Sequence, residues 1–128
     1  MNTRLIMTLS SLVFGLAGAV LIFAPDEVSV FLLRHDDVFE RLFLQIAGGS
    51  YFAFAVLNSL VRGTWLGGIY GRPIVLANLA HCVIAGLPVI KAAFFTPHFL
   101  VYGAALTYLV FGVLFSLVLF TTPKTQSV

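Results

Sequence analysis

Three polar side chains interrupt two long apolar stretches in the middle of the chain, and they are the residues best suited to chemistry. Asn58 lies near the end of the first stretch, and Asn78 and His81 lie near the start of the second. An amide or imidazole at membrane depth is costly, so it faces a partner or a cavity. The connecting loop adds polar and aromatic side chains close to these positions: Arg62, Tyr70 and Arg72.

Two interpretations of this group stay open. Asn78 and His81 are three residues apart and share one face of a helix, while Asn58 lies at a similar depth on the preceding helix. Hydrogen bonds between them can hold the helices together, at about 0.6 to 2 kcal/mol per bond. Alternatively, they form a small pocket for a lipid headgroup, a quinone or a small solute. We call this set the candidate polar pocket: Asn58, Asn78, His81, Arg62, Tyr70 and Arg72.

A second group of candidate ligands lies in an acidic segment after the first apolar run and in a later turn. Histidine and carboxylate side chains bind zinc and other divalent ions. The neighbouring Asp37 and Glu40, however, have the spacing of a helix cap. We therefore predict no metal site and keep three residues as weak candidates only: His35, Asp36 and His98.

Catalytic and cofactor chemistry has little support in the sequence. Haem held between helices needs two axial ligands at one depth, and His81 is the only histidine inside an apolar stretch. A nucleophile–base pair, a phosphate-binding loop and a thiol motif are all missing from the pattern. We predict no catalytic residue and no cofactor, and an enzyme is the least favoured class.

Composition indicates a membrane protein. Hydrophobic residues make up 60% of the 128 residues and charged residues 9%, against about 25% charged residues in a typical soluble domain. A net charge of +2 without a basic run argues against nucleic acid as a partner. Apolar runs long enough to cross a hydrocarbon core of about 30 Å predict one integral membrane domain over residues 1–128, with spans at about 5–24, 42–61, 74–95 and 99–120.

The segment between the first two spans contains all five acidic residues of the chain. Pro25, Asp26 and Glu27 suit a helix start, and Val28 and Phe31 continue it as an apolar stripe, so we predict a short helix in the membrane interface. The fold class expected is all-α: a four-helix transmembrane bundle with a short interfacial amphipathic helix between helices 1 and 2. The distribution of arginine and lysine predicts cytoplasmic N- and C-termini.

Several short motifs resemble a group of small, uncharacterised bacterial four-helix membrane proteins that are broadly similar to the DoxX-like proteins. These motifs are Phe23-Ala-Pro-Asp-Glu27, Gln45-x-x-Gly-x-x-Tyr51-Phe-Ala-Phe-Ala-x-x-Asn58, and Gly67-Gly-Ile-Tyr-Gly-Arg-Pro73 followed by Asn78-x-x-His81. The resemblance implies a four-helix bundle in the bacterial inner membrane. It supplies no catalytic or binding residues.

Two functions from different classes follow from these observations. The favoured one is a non-catalytic accessory or scaffold module, packed through its helices, with membrane lipids as partners and either a homo-oligomer or a larger membrane complex as its setting. The alternative is a protein that binds or transports a small solute, lipid or quinone, using the candidate polar pocket in the cytoplasmic half between helices 2 and 3.

Overall fold

The computed structural model describes residues 2–33, 37–63 and 71–121, and the regular structure in these ranges is helical throughout. Its helices are α1 (Thr3–Phe23), α2 (Pro25–Leu33), α3 (Val38–Val61), α4 (Gly71–Phe95) and α5 (Phe99–Phe120). The all-α class, the four long helices and the short helix between the first two are confirmed.

The four long helices have the length and composition needed to cross a membrane. They contain 21, 24, 25 and 22 residues, so at 1.5 Å per residue each exceeds the roughly 30 Å hydrocarbon core. Large apolar side chains cover much of their exposed surface, as on Leu16, Phe43, Ile84 and Leu106. Such a surface suits lipid rather than water, and the chain has the helices of a small multi-pass membrane protein.

The starts of α3 and α4 are earlier than the predicted spans, because their first turns are polar. Asp37 caps α3, its side chain accepting a hydrogen bond from the backbone N–H of Phe39 at 3.0 Å. The cap predicted at this position is therefore observed. A cap belongs at the interface, so α3 begins outside the apolar run that the sequence identifies.

The short helix α2 is held against α1 and the first turn of α3. Ser29 is fully buried, and its hydroxyl donates a hydrogen bond to the carboxylate of Glu40 at 3.1 Å. Arg41 and Asp26 form an ion pair at 3.1 Å, with side chains that are 34% and 61% exposed. An ion pair so open to solvent adds at most about 1 kcal/mol to stability. The hydrogen bond of the buried Ser29 to Glu40 is therefore the contact that best accounts for the position of α2 against α3.

The described helices divide into two compact units, one from Asn2 to Gly63 and the other containing α4 and α5. In the first unit α1 and α3 pack antiparallel and very closely. A Cβ atom added to Gly18 would lie 2.8 Å from the carbonyl oxygen of Gly48 and 2.8 Å from the backbone nitrogen of Phe52. Only glycine permits backbones to approach this closely, which is the packing mode typical of membrane helices.

The second unit is the α4–α5 hairpin, and it also packs through small residues. A Cβ on Gly86 would lie 3.1 Å from the Cβ of Tyr108, and one on Gly112 would lie 3.8 Å from the Cβ of Cys82. These pairs run in opposite directions along the two helices, as expected for antiparallel neighbours. The helix α4 continues through Pro88. The sequence prediction of one domain over residues 1–128 stays a prediction.

Candidate functional site

Asn58 is buried in the α1–α3 contact. It has no exposed surface, and its Nδ2 donates a hydrogen bond to the hydroxyl oxygen of Ser10 on α1 at 3.0 Å. Ser10 is equally buried, and its hydroxyl in turn donates to the carbonyl oxygen of Met7 at 3.0 Å. A buried amide needs such partners to offset its desolvation, so this chain of bonds connects α3 to α1.

A second polar link lies one turn away on α3. The hydroxyl of Ser11 donates to the backbone carbonyl of Ala55 at 2.8 Å. Gly15 lies beside this bond, and a Cβ there would make an ordinary contact, 3.5 Å from the Ala55 Cβ. The phenyl ring of Phe14 packs beside these links, with ring centroids 5.9 Å from Tyr51 and 6.5 Å from Phe54.

Asn78 lies on the face of α4 that packs against α5, and His81 lies at the edge of that face. Asn78 is fully buried, and its Nδ2 donates to the carbonyl oxygen of Ile74, one turn earlier, at 3.0 Å. His81 is half-buried, and its ring lies 5.8 Å from the ring of Tyr108 on α5, at an interplanar angle of 53°. The buried residues Val75, Asn78, Cys82 and Gly86 follow the three- and four-residue spacing of one helix face.

The charged members of the candidate polar pocket lie at helix ends. Arg62 is exposed at the C-cap of α3, and Arg72 is exposed in the first turn of α4. Tyr70 lies outside the described residues. Asn58 and Arg62 belong to one compact unit, and Asn78, His81 and Arg72 to the other. That these residues form a single pocket therefore stays a prediction.

His98 has a structural role at the start of α5. Its Nδ1 accepts a hydrogen bond from the backbone N–H of Leu100 at 3.3 Å, and its ring stacks on Phe99 with centroids 5.0 Å apart. The other weak metal candidates, His35 and Asp36, lie outside the described residues. Within the described ranges, no three His, Cys, Asp or Glu side chains gather as a metal site would require.

Two partners were not predicted from the sequence: Ser10, which bonds to Asn58, and Tyr108, whose ring contacts His81. A serine in an apolar helix often bonds to its own backbone, as Ser10 does, so its type alone gives no signal. The register of the antiparallel pair would have found it. Once Gly18 is placed against Gly48, the same register brings Ser10 and Ser11 to the level of Ala55 and Asn58.

Comparisons of the chain with protein-family models, curated proteins and solved structures found no match.

Proposed function

We propose that this chain is a non-catalytic accessory or scaffold module of the bacterial inner membrane, packed through its helices. The proposal rests on the buried polar groups that form hydrogen bonds between α1 and α3. Asn58 bonds to Ser10, and Ser11 bonds to the backbone of Ala55. Polar groups bonded to one another across a helix pair stabilise the fold and are committed to that role.

The surfaces of the helices suit a module that works by packing. Each helix unit presents large apolar side chains, including Leu16 at 69% and Leu60 at 74% exposure in the first and Ile84 at 72% in the second. Membrane lipids, a second copy of the chain or other subunits of a membrane complex can cover such surfaces. The DoxX-like resemblance of the motifs around Asn58 and Asn78 supports the bacterial inner membrane as their location.

A ligand-binding role is the second candidate, and His81 favours it. Its imidazole is half-buried inside a membrane-spanning helix, where an ionisable group is costly and is retained mainly for function. In this reading His81 and Asn78 contact a small solute, a quinone or a lipid headgroup in the candidate polar pocket, with Arg72 near the entrance.

Replacing Asn78 or His81 with alanine separates the two functions. If Asn78 and His81 only hold the helices together, each alanine substitution is expected to lower the free energy of unfolding by about 1 kcal/mol. This is a decrease of several degrees in Tm for a chain of this size. The measurement is thermal unfolding of the detergent-solubilised protein, together with mass spectrometry of the small molecules that co-purify with it.

The matched control is Ile84→Ala, which truncates an exposed side chain on the same helix. For the scaffold function we expect both test variants to unfold below the control, with unchanged co-purifying molecules. Unchanged Tm values combined with the loss of one bound molecule would favour the ligand-binding function instead.

The proposed topology places both termini and the loop between α3 and α4 in the cytoplasm, and the segment around α2 outside. Basic residues carry this assignment: Arg4, Arg62, Arg72 and Lys124 belong to the proposed inner side, and Arg34, Arg41 and Lys91 to the outer. Single cysteines at positions 36 and 64, in a Cys82→Ala background, test it. An impermeant thiol reagent applied to intact cells should label position 36 and leave position 64 unmodified; the opposite pattern would invert the topology.

A further inference from the structure

A groove of about 490 Å³ runs along the α4–α5 hairpin. Its walls are two ridges of large apolar side chains spaced four residues apart: Leu79, Val83 and Leu87 on α4, and Leu109, Val113 and Leu117 on α5. Its floor is made of small residues: Cys82, Gly86 and Gly112. Side chains four apart on a helix lie one above the other, so the pattern produces a continuous channel along the helix axes.

The groove is open along its length, because its walls are only partly covered. Val83 is 48% exposed, Leu87 64% and Val113 52%. At Gly112 an added Cβ would meet only the Cβ of Cys82, at an ordinary contact distance of 3.8 Å. The floor at this glycine therefore has room for atoms from outside the hairpin.

The dimensions of the groove match a single hydrocarbon chain. Its lining runs from Leu79 to Ile90 on α4 and from Tyr108 to Thr121 on α5. Because Gly86 lies opposite Tyr108 and Cys82 opposite Gly112, the two stretches are staggered and together cover about 25 Å at 1.5 Å per residue. This length is close to one leaflet with its headgroup region, half of a bilayer of about 40 to 45 Å. Spreading 490 Å³ over it, and adding the radius of a water molecule on each side, gives a channel about 8 Å across, narrower than the helix diameter of about 10 to 12 Å.

Polar groups lie toward one end of the groove. Ser116 and Thr121 contribute hydroxyl groups to the lining, and Thr121 directly follows the end of α5. Because the hairpin is antiparallel, the start of α4 lies at this same end, where Arg72 is exposed. A guanidinium at a helix end attracts the phosphate of a lipid headgroup.

From these features we infer that the α4–α5 groove binds one acyl chain of a membrane phospholipid, with the headgroup at the Arg72 and Thr121 end. The small floor admits the chain, the ridges contact it on both sides, and the open length allows entry sideways from the bilayer. This site lies between α4 and α5; it shares Arg72 with the candidate polar pocket, but its lining does not include Asn58, Asn78 or His81.

Photocrosslinking from a lipid tail tests the site directly. The full chain is reconstituted in vesicles of phosphatidylethanolamine and phosphatidylglycerol in equal parts, doped with phosphatidylglycerol carrying a diazirine midway along one acyl chain. Illumination followed by peptide mass spectrometry locates the adducts. We expect them on the groove walls, at Val83 and Val113, above the level at Ile84 and Leu106, which are 72% and 64% exposed but lie outside the groove.

Adducts that simply follow exposure, with Ile84 and Leu106 ahead of the groove walls, would overturn the inference. An absence of adducts at Val83 and Val113 would also overturn it, since the acyl chain would then not occupy the groove. This readout needs no variant and leaves the proposed scaffold function untouched, because that function depends on Asn58, Asn78 and His81.

The second part of the photocrosslinking test fills the floor of the groove with a larger side chain. Gly112→Leu should lower adduct formation on the walls about tenfold, because displacing two methylene groups from an apolar site changes occupancy by that factor. The matched control is Gly103→Leu, the same change on the same helix at an exposed glycine with no atom within 4 Å of its added Cβ.

Circular dichroism and thermal unfolding establish that each variant is folded. If Gly112→Leu does not fold, Gly112→Ala replaces it, because its Cβ makes only an ordinary contact. A smaller decrease in adduct formation is then expected. Equal adduct yields in the Gly112 and Gly103 variants would exclude the groove as the binding site.

Discussion

Gly18→Ala is expected to lower the free energy of unfolding by about 3 kcal/mol, at the upper end of the range for an overpacked core. The added methyl would lie 2.8 Å from two backbone atoms of α3, the Gly48 oxygen and the Phe52 nitrogen. A flexible side chain can rotate away from a new neighbour, but backbone atoms move only with their helix. The α1–α3 contact must therefore open.

The opening affects more than the glycine. The hydrogen bonds from Asn58 to Ser10 and from Ser11 to Ala55 lie on the same interface, and hydrogen bonds weaken steeply as geometry departs from the optimum. Alanine is the better helix former by about 1 kcal/mol, which offsets only part of the loss. Unfolding in mixed micelles, followed by circular dichroism as sodium dodecyl sulfate increases, measures the net change.

Gly49→Ala is the matched control for Gly18→Ala. Gly49 is next to the buried Gly48, yet no atom lies within 4 Å of its added Cβ. The same substitution should therefore be neutral or stabilising, by at most about 1 kcal/mol. If both variants unfold at the same detergent concentration, the close approach of α1 and α3 is wrong.

The helices themselves could be predicted from the sequence, because their causes are local. Apolar runs bounded by Pro25, Asp37 and the Thr96-Pro97 turn are enough to place the spans, since hydropathy and helix-ending residues act over a few positions. The predicted spans begin at about residues 42 and 74, where α3 and α4 enter the hydrocarbon, and the helices themselves begin three or four residues earlier, at Val38 and Gly71. For α3 the cap at Asp37 already indicated this earlier start.

The partners of the candidate site could not be predicted in the same way. The free-energy cost of an amide that faces lipid predicts that Asn58 is buried between helices, and it is buried. This cost gives no partner, because choosing among the polar groups of other helices requires the register and rotation of each pair. Gly18 against Gly48 sets that register in the structure. General packing rules favour small residues where membrane helices meet, but they specify no opposing residue.

Asn58→Ala is expected to destabilise the chain by about 2 kcal/mol, because the substitution removes the amide that reaches across to α1 and leaves a small void. Ser10→Ala should cost about 1 kcal/mol. If the two side chains depend on each other, the double variant will be less destabilised than the sum of the two, by a coupling energy of about 1 kcal/mol. Detergent unfolding of all four proteins gives this coupling.

The control for this cycle is Ser50→Ala. Ser50 is an exposed residue whose hydroxyl bonds to the carbonyl of Ile46 on its own helix, so its loss should change stability by no more than about 0.5 kcal/mol. A coupling near zero between Ser10 and Asn58 would remove their bond as the basis of the scaffold proposal. A full coupling would assign the Asn58 amide to the α1–α3 contact, and any ligand chemistry in the middle of the chain would then depend on Asn78 and His81.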